Sequence, residues 1–179
     1  MAGEHAAPSS DGSVSALRRS LELGLIAALV IVAGSIGTAS TIPNIPTWYA
    51  GINKPPFNPP NWVFGPVWTS LYLLMIWGCW RVLGVARHTP LLKPALGFFA
   101  VQLVLNAVWS VVFFGLHSPG WALLVIVALE LTLMAMILVF AQIDEWAAAS
   151  QMPYVFWVAF AAILNLSVYL LNLPDAPLS

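Results

Sequence analysis

Five apolar stretches of roughly twenty residues each run along this chain, and they leave it only lipid as a solvent. A helix of about 20 residues crosses the roughly 30 Å of bilayer hydrocarbon. The stretches lie near Leu21–Ile42, Trp62–Leu83, Leu92–Leu116, Trp121–Ile143 and Met152–Leu173. Backbone polar groups in lipid must be satisfied within their own segment, so each stretch is predicted to be a helix. The alternation that a barrel strand needs is absent. The expected fold is all-α, an integral membrane bundle of five transmembrane helices. Only 7% of the 179 residues are charged and 60% are hydrophobic. Soluble domains carry about a quarter charged residues, so a water-facing surface cannot be built from this supply.

Residues 1–17 are small, polar and aperiodic, and read as a disordered tail. Residues 18–174 form the membrane domain, and 175–179 a short C-terminal tail. The first apolar run is too long for a signal-peptide core and is kept as a mature helix. Asn61, after Pro59-Pro60, is expected to cap the second helix. Pro94, Pro119 and Pro153 suit the first turns of the next three, where a missing N–H costs nothing.

The formal net charge of −1 offers no basic field, which excludes a nucleic-acid partner. Five of the six basic residues, Arg18, Arg19, Arg81, Arg87 and Lys93, fall on the N-terminal side of the bundle, the last three in the second loop; only Lys54 lies opposite. The positive-inside rule then places the N-terminus in the cytoplasm of a bacterial cell, an organelle membrane being the alternative. Cys79 is the only cysteine, so there is no intrachain disulfide, and no Cys/His cluster suggests a metal.

The first loop, Trp48 to Phe64, carries Pro55, Pro56, Pro59 and Pro60. Prolines fix φ, so it reads as a stiff lid. Its Trp and Tyr side chains could also be interfacial anchors. Trp68 and Tyr72 share one face of the second helix. Gln102, Asn106 and Trp109 form a stripe on the third, and Trp157, Ala161 and Asn165 another on the fifth. Amides facing lipid would be unpaired, so all three should point into the bundle, either to bond neighbouring helices or to line a pocket. Glu130, near the middle of the fourth helix, is a protonated acid at an interface or part of a proton relay.

Trp48-Tyr49, Lys54-Pro55, Pro59-Pro60, Trp62-Val63-Phe64, Pro66, Trp68-Thr69 and Leu71-Tyr72 together resemble the first-loop and second-helix signature of the TspO/MBR family. Gln102, Asn106, Trp109 and Phe113-Phe114, then Pro153-Tyr154, Trp157 and Leu164-Asn165, extend the resemblance over about Gly34 to Asn172. The resemblance implies a membrane-embedded binding protein or sensor for tetrapyrroles such as protoporphyrin IX and haem, and a homodimer. It implies that Tyr49, Pro59, Trp68, Tyr72, Gln102, Asn106, Trp157 and Ala161 line the ligand site; Trp48, Trp109 and Asn165 are added from the same loop and stripes. Gly34, Gly37, Ala95 and Gly97 are candidates for close helix approach in the dimer.

Porphyrin or haem is expected as a ligand and not as a permanent cofactor, because His5 is in the tail and His88 and His117 lie at the membrane edges. The sterol motif of animal members is incomplete: nothing basic follows Leu166 and Tyr169. A porphyrin transporter and a light-dependent porphyrin-degrading enzyme stand as alternatives. No acid–base pair or nucleophile constellation supports ordinary catalysis.

Overall fold

The structure is a computed structural model and describes residues 10–174, with side chains described from Val14 onward. Among the described residues there are helices and no strands. Helix α1 spans Ser10–Thr41, the short α2 Trp48–Gly51, and α3 Asn61–Val85. Helix α4 spans Leu92–Ser110 and widens into a π turn over Val111–Gly115; α5 follows over Pro119–Ala141, then a short α6 over Glu145–Ala149 and α7 over Met152–Leu171. Five segments are long and apolar enough to cross a bilayer, the five expected. The chain is an integral membrane helical bundle.

Several boundaries differ from expectation. Residues 10–17, assigned to the tail, are helical and extend α1; residues 1–9 and 175–179 lie outside the described residues. Asn61 does not cap α3. It is the first helical residue, Pro60 holds the cap position, and no side chain closes that end. Proline in an extended conformation already turns the chain into the helix, so a side-chain cap is dispensable there. Arg81 and Lys93 sit on α3 and α4, not in the loop between them.

Helix α4 packs on α5, α5 on α7, and α1 on α4 and α3. Lipid tails are as apolar as leucine, so burial alone does not drive these contacts; close packing does. Gly34 allows one of them: a Cβ there would sit 2.8 Å from the Tyr72 ring. At Gly37 it would sit 3.1 Å from the Ser110 hydroxyl. Both glycines therefore serve contacts inside the bundle, and Ala95 is fully buried. Of the four small residues proposed for a dimer face, Gly97 alone looks outward into open space.

One end of the bundle is tied by charge. Glu22 accepts from Arg18 at 3.1 Å and from Arg87 at 2.6 Å. The Arg19 guanidinium lies 4.0 Å over the Trp80 ring and donates to the Trp80 carbonyl. Arg81 binds Asp144 at 2.6 Å, and Asp144 also caps α6 through the Ala147 N–H. The Arg81 guanidinium holds the Asp144 carboxyl below the usual carboxylate range.

Candidate functional site

At the opposite end, the one carrying Lys54, α1, α3, α4 and α7 enclose a cavity of about 420 Å³. Helix α3 lines it with Phe64, Trp68 and Tyr72, one face at four-residue spacing. The Trp68 and Tyr72 rings lie 5.5 Å apart. Helix α7 contributes Trp157, Ala161, Leu164 and Asn165. Trp157 meets Phe64 edge-on at 5.7 Å, so side chains close the seam between α3 and α7. Helix α4 supplies Trp109 and Ser110, and its π turn rotates Phe113 and Phe114 inward. A π turn re-aims the side chains that follow it, which is why such turns recur at functional sites.

Two polar devices hold these walls. The Trp109 indole N–H donates to Asn165 Oδ1 at 3.1 Å, while Asn165 Nδ2 donates to the Pro119 carbonyl at 2.8 Å. One buried amide thus fixes α4, α7 and the start of α5. Above the cavity, Tyr49 of α2 is buried and donates its hydroxyl proton to Asn58 Oδ1 at 2.7 Å. Burial pushes the Tyr49 hydroxyl up, and the Asn58 bond offsets part of that. Lys54 Nζ donates to the carbonyls of Tyr49 and Ile52, which closes the short helix. Asn53 and Asn172 exchange bonds, the Asn53 N–H to Asn172 Oδ1 at 3.0 Å and Asn172 Nδ2 to the Asn53 carbonyl at 2.9 Å. The loop is therefore latched to the end of α7.

The cavity is not sealed. Thr38 of α1 and Asn61, Gly65 and Thr69 of α3 line it and are also exposed. It opens sideways between α1 and α3, within the spanning segments.

Of the residues expected at the site, Tyr49, Trp68, Tyr72, Trp109, Trp157, Ala161 and Asn165 line this cavity. Four do not. Trp48 points the other way, stacks on His117 at 4.6 Å and lines a separate cleft of about 650 Å³. Pro59 lies in the loop outside the lining. Asn106 is beneath the cavity, donating to the Tyr154 hydroxyl at 2.7 Å. Gln102 is a turn further in, and neither of its amide atoms meets a partner. A stripe spanning seven residues runs roughly 10 Å along a helix, further than the cavity reaches. The α1 contribution, Gly37, Thr38 and Thr41, carried no aromatic or ionisable signal in the sequence. Ser110 could have been found as the next residue on the Gln102–Asn106 stripe, and Phe113-Phe114 as part of the family signature.

No lining residue carries a charge. Among the described residues, no group of three His, Cys, Asp or Glu side chains could hold a metal ion. The arrangement binds by stacking, shape and a few hydrogen bonds.

Comparison with known proteins agrees with this architecture. The sequence profile of the TspO/MBR family matches residues 25–171. Protein CrtK of Rhodobacter capsulatus is 36% identical over 159 residues, covering 89% of this chain and 99% of its own. The tryptophan-rich protein TspO of Archaeoglobus fulgidus is 40% identical over 156 residues, covering 84% and 97%. The translocator protein of Homo sapiens is 38% identical over 125 residues, covering 68% and 73%. With the family match extending into all five spanning segments, this chain belongs to the TspO/MBR family.

Proposed function

We propose that this protein is a membrane sensor that binds a flat tetrapyrrole, with protoporphyrin IX as the test ligand and haem as a related one. The observation that carries the reading is an uncharged cavity walled by Trp68, Tyr72, Trp109 and Trp157 and open toward lipid between α1 and α3. A planar apolar macrocycle partitions into the bilayer, reaches that opening without crossing water, and stacks on these rings. Its polar edge meets the Thr and Asn side chains at the rim.

The reading places the arginine-bearing end in the cytoplasm of a bacterial cell and the cavity end outside. It includes a homodimer through the outward face of α4, where Gly97, Val101, Val104 and Val108 form one exposed stripe.

Titrating purified protein with protoporphyrin IX should quench its tryptophan fluorescence. Trp68→Ala combined with Trp157→Ala should weaken binding at least tenfold, about 1.4 kcal/mol. A folded double variant that binds as tightly as wild type would place the ligand elsewhere. Running the titration in the dark and in light distinguishes stable binding from photochemical consumption of the ring.

A further inference from the structure

The connection between α4 and α5 holds a strained residue. Among the described residues His117 is the one non-glycine with a positive φ, 52°. Side chains rarely take this left-handed conformation, and a turn that needed only its backbone would be relieved by glycine. Strained backbone persists where surrounding contacts hold it, and it collects at functional sites. Burial does not hold His117, which is exposed. Two side-chain contacts do, and both reach the segment that leads into the proline-rich loop.

The His117 ring stacks on Trp48 at 4.6 Å and 16°. Its Nε2 lies 2.8 Å from Asn44 Oδ1. Asn44 Nδ2 already donates to the Ser40 carbonyl at 2.8 Å, so the amide oxygen faces the ring and Nε2 carries the proton. Asn44 closes the short turn Ile42–Asn44 after α1. Trp48 also meets Phe113 edge-on at 5.5 Å and Phe114 at 6.4 Å, two residues of the cavity wall. Helix α2 has four residues, too few to be stable alone, so its place is set by what its side chains touch. Trp48 is its first residue, and the next, Tyr49, lines the cavity. The Asn53–Asn172 exchange ties the chain just after α2; His117 ties its start.

We propose that His117 is a positioning residue for ligand retention, clamping Trp48 so that α2 keeps Tyr49 over the cavity. His117 does not itself line the cavity and acts only through Trp48. Control of retention rests on the tetrapyrrole reading; the clamp stands apart from the ligand's identity.

Hydrogen exchange on the purified, unliganded full chain tests the clamp. His117→Gly relieves the backbone and deletes the ring; His117→Asn, which also tolerates a positive φ, serves if the glycine variant does not fold. Amides of Ala50–Asn53 should exchange at least threefold faster than in wild type, while those of α6 at the other end of the bundle stay unchanged. Trp48→Leu should loosen the same amides, and adding it to His117→Gly should have little further effect, because both remove one contact. Unchanged loop exchange, an equal rise in α6, or additive effects of the two substitutions each overturn the clamp. Stopped-flow release of protoporphyrin IX should then be at least threefold faster in His117→Gly. A loosened loop with unchanged release overturns control of retention. Failure of the wild type to bind counts against the tetrapyrrole reading, while exchange in the unliganded chain still decides the clamp.

Discussion

Asn106 Nδ2 donates to the Tyr154 hydroxyl oxygen at 2.7 Å across the α4–α7 seam, and this buried bond closes the bottom of the cavity. Tyr154→Phe keeps the ring and strands the Asn106 donor. Leaving a buried donor unmade costs about 1–3 kcal/mol, whereas replacing both partners with apolar groups costs less. Thermal unfolding in detergent should show Tyr154→Phe less stable than wild type and Tyr154→Phe with Asn106→Leu partly recovered. Equal stability of all three would mean the bond contributes nothing.

The Asn53–Asn172 exchange latches the proline-rich loop over the cavity, yet neither residue lines it. Asn172→Ala should therefore speed protoporphyrin release in stopped-flow experiments while changing the association rate less. Replacing Pro55, Pro56, Pro59 and Pro60 with Gly and Ser should act in the same direction, because ordering a flexible loop costs more entropy. An unchanged dissociation rate in both variants would sink the lid.

The Arg81–Asp144 pair gives stability a pH dependence whose sign is fixed. The folded-state carboxyl is held low by Arg81, so its contribution is complete above the ordinary carboxylate range near 4 and is lost as pH falls through the depressed value. Asp144→Asn can still cap α6 but cannot pair. It should lower the melting temperature at neutral pH and flatten the acid side of the profile, converging with wild type in strong acid.

Gly97→Leu fills the glycine of α4, which faces open space. If α4 forms the dimer contact, sedimentation in detergent should move from dimer toward monomer while the helical content stays constant. A wild-type chain that is monomeric at high concentration removes the prediction altogether.

Orientation follows from cysteine labelling in a Cys79→Ser background. An impermeant reagent outside intact cells should modify Phe57→Cys in the first loop and spare His88→Cys between α3 and α4. The reverse pattern would invert the protein.

Five spanning helices were legible in the chain itself, because hydrocarbon imposes length and apolarity locally and few charges interrupt the runs. The single-face spacing of Trp68 with Tyr72, and of Trp157 with Ala161 and Asn165, was legible for the same reason: helical periodicity is a property of one segment. What the sequence alone left open was depth and direction. Asn106 and Trp109 share a stripe, but only the packing of α7 against α4 decides that Trp109 meets the cavity and Asn106 meets Tyr154. Trp48 and Tyr49 are neighbours in the chain, yet the short α2 turns one toward His117 and the other over the cavity. Gly34 and Gly37 were expected at a contact between subunits, whereas Tyr72 and Ser110 of the same chain approach them inside the bundle. Periodicity fixes which residues share a face of a helix; which neighbour that face meets depends on how the helices assemble.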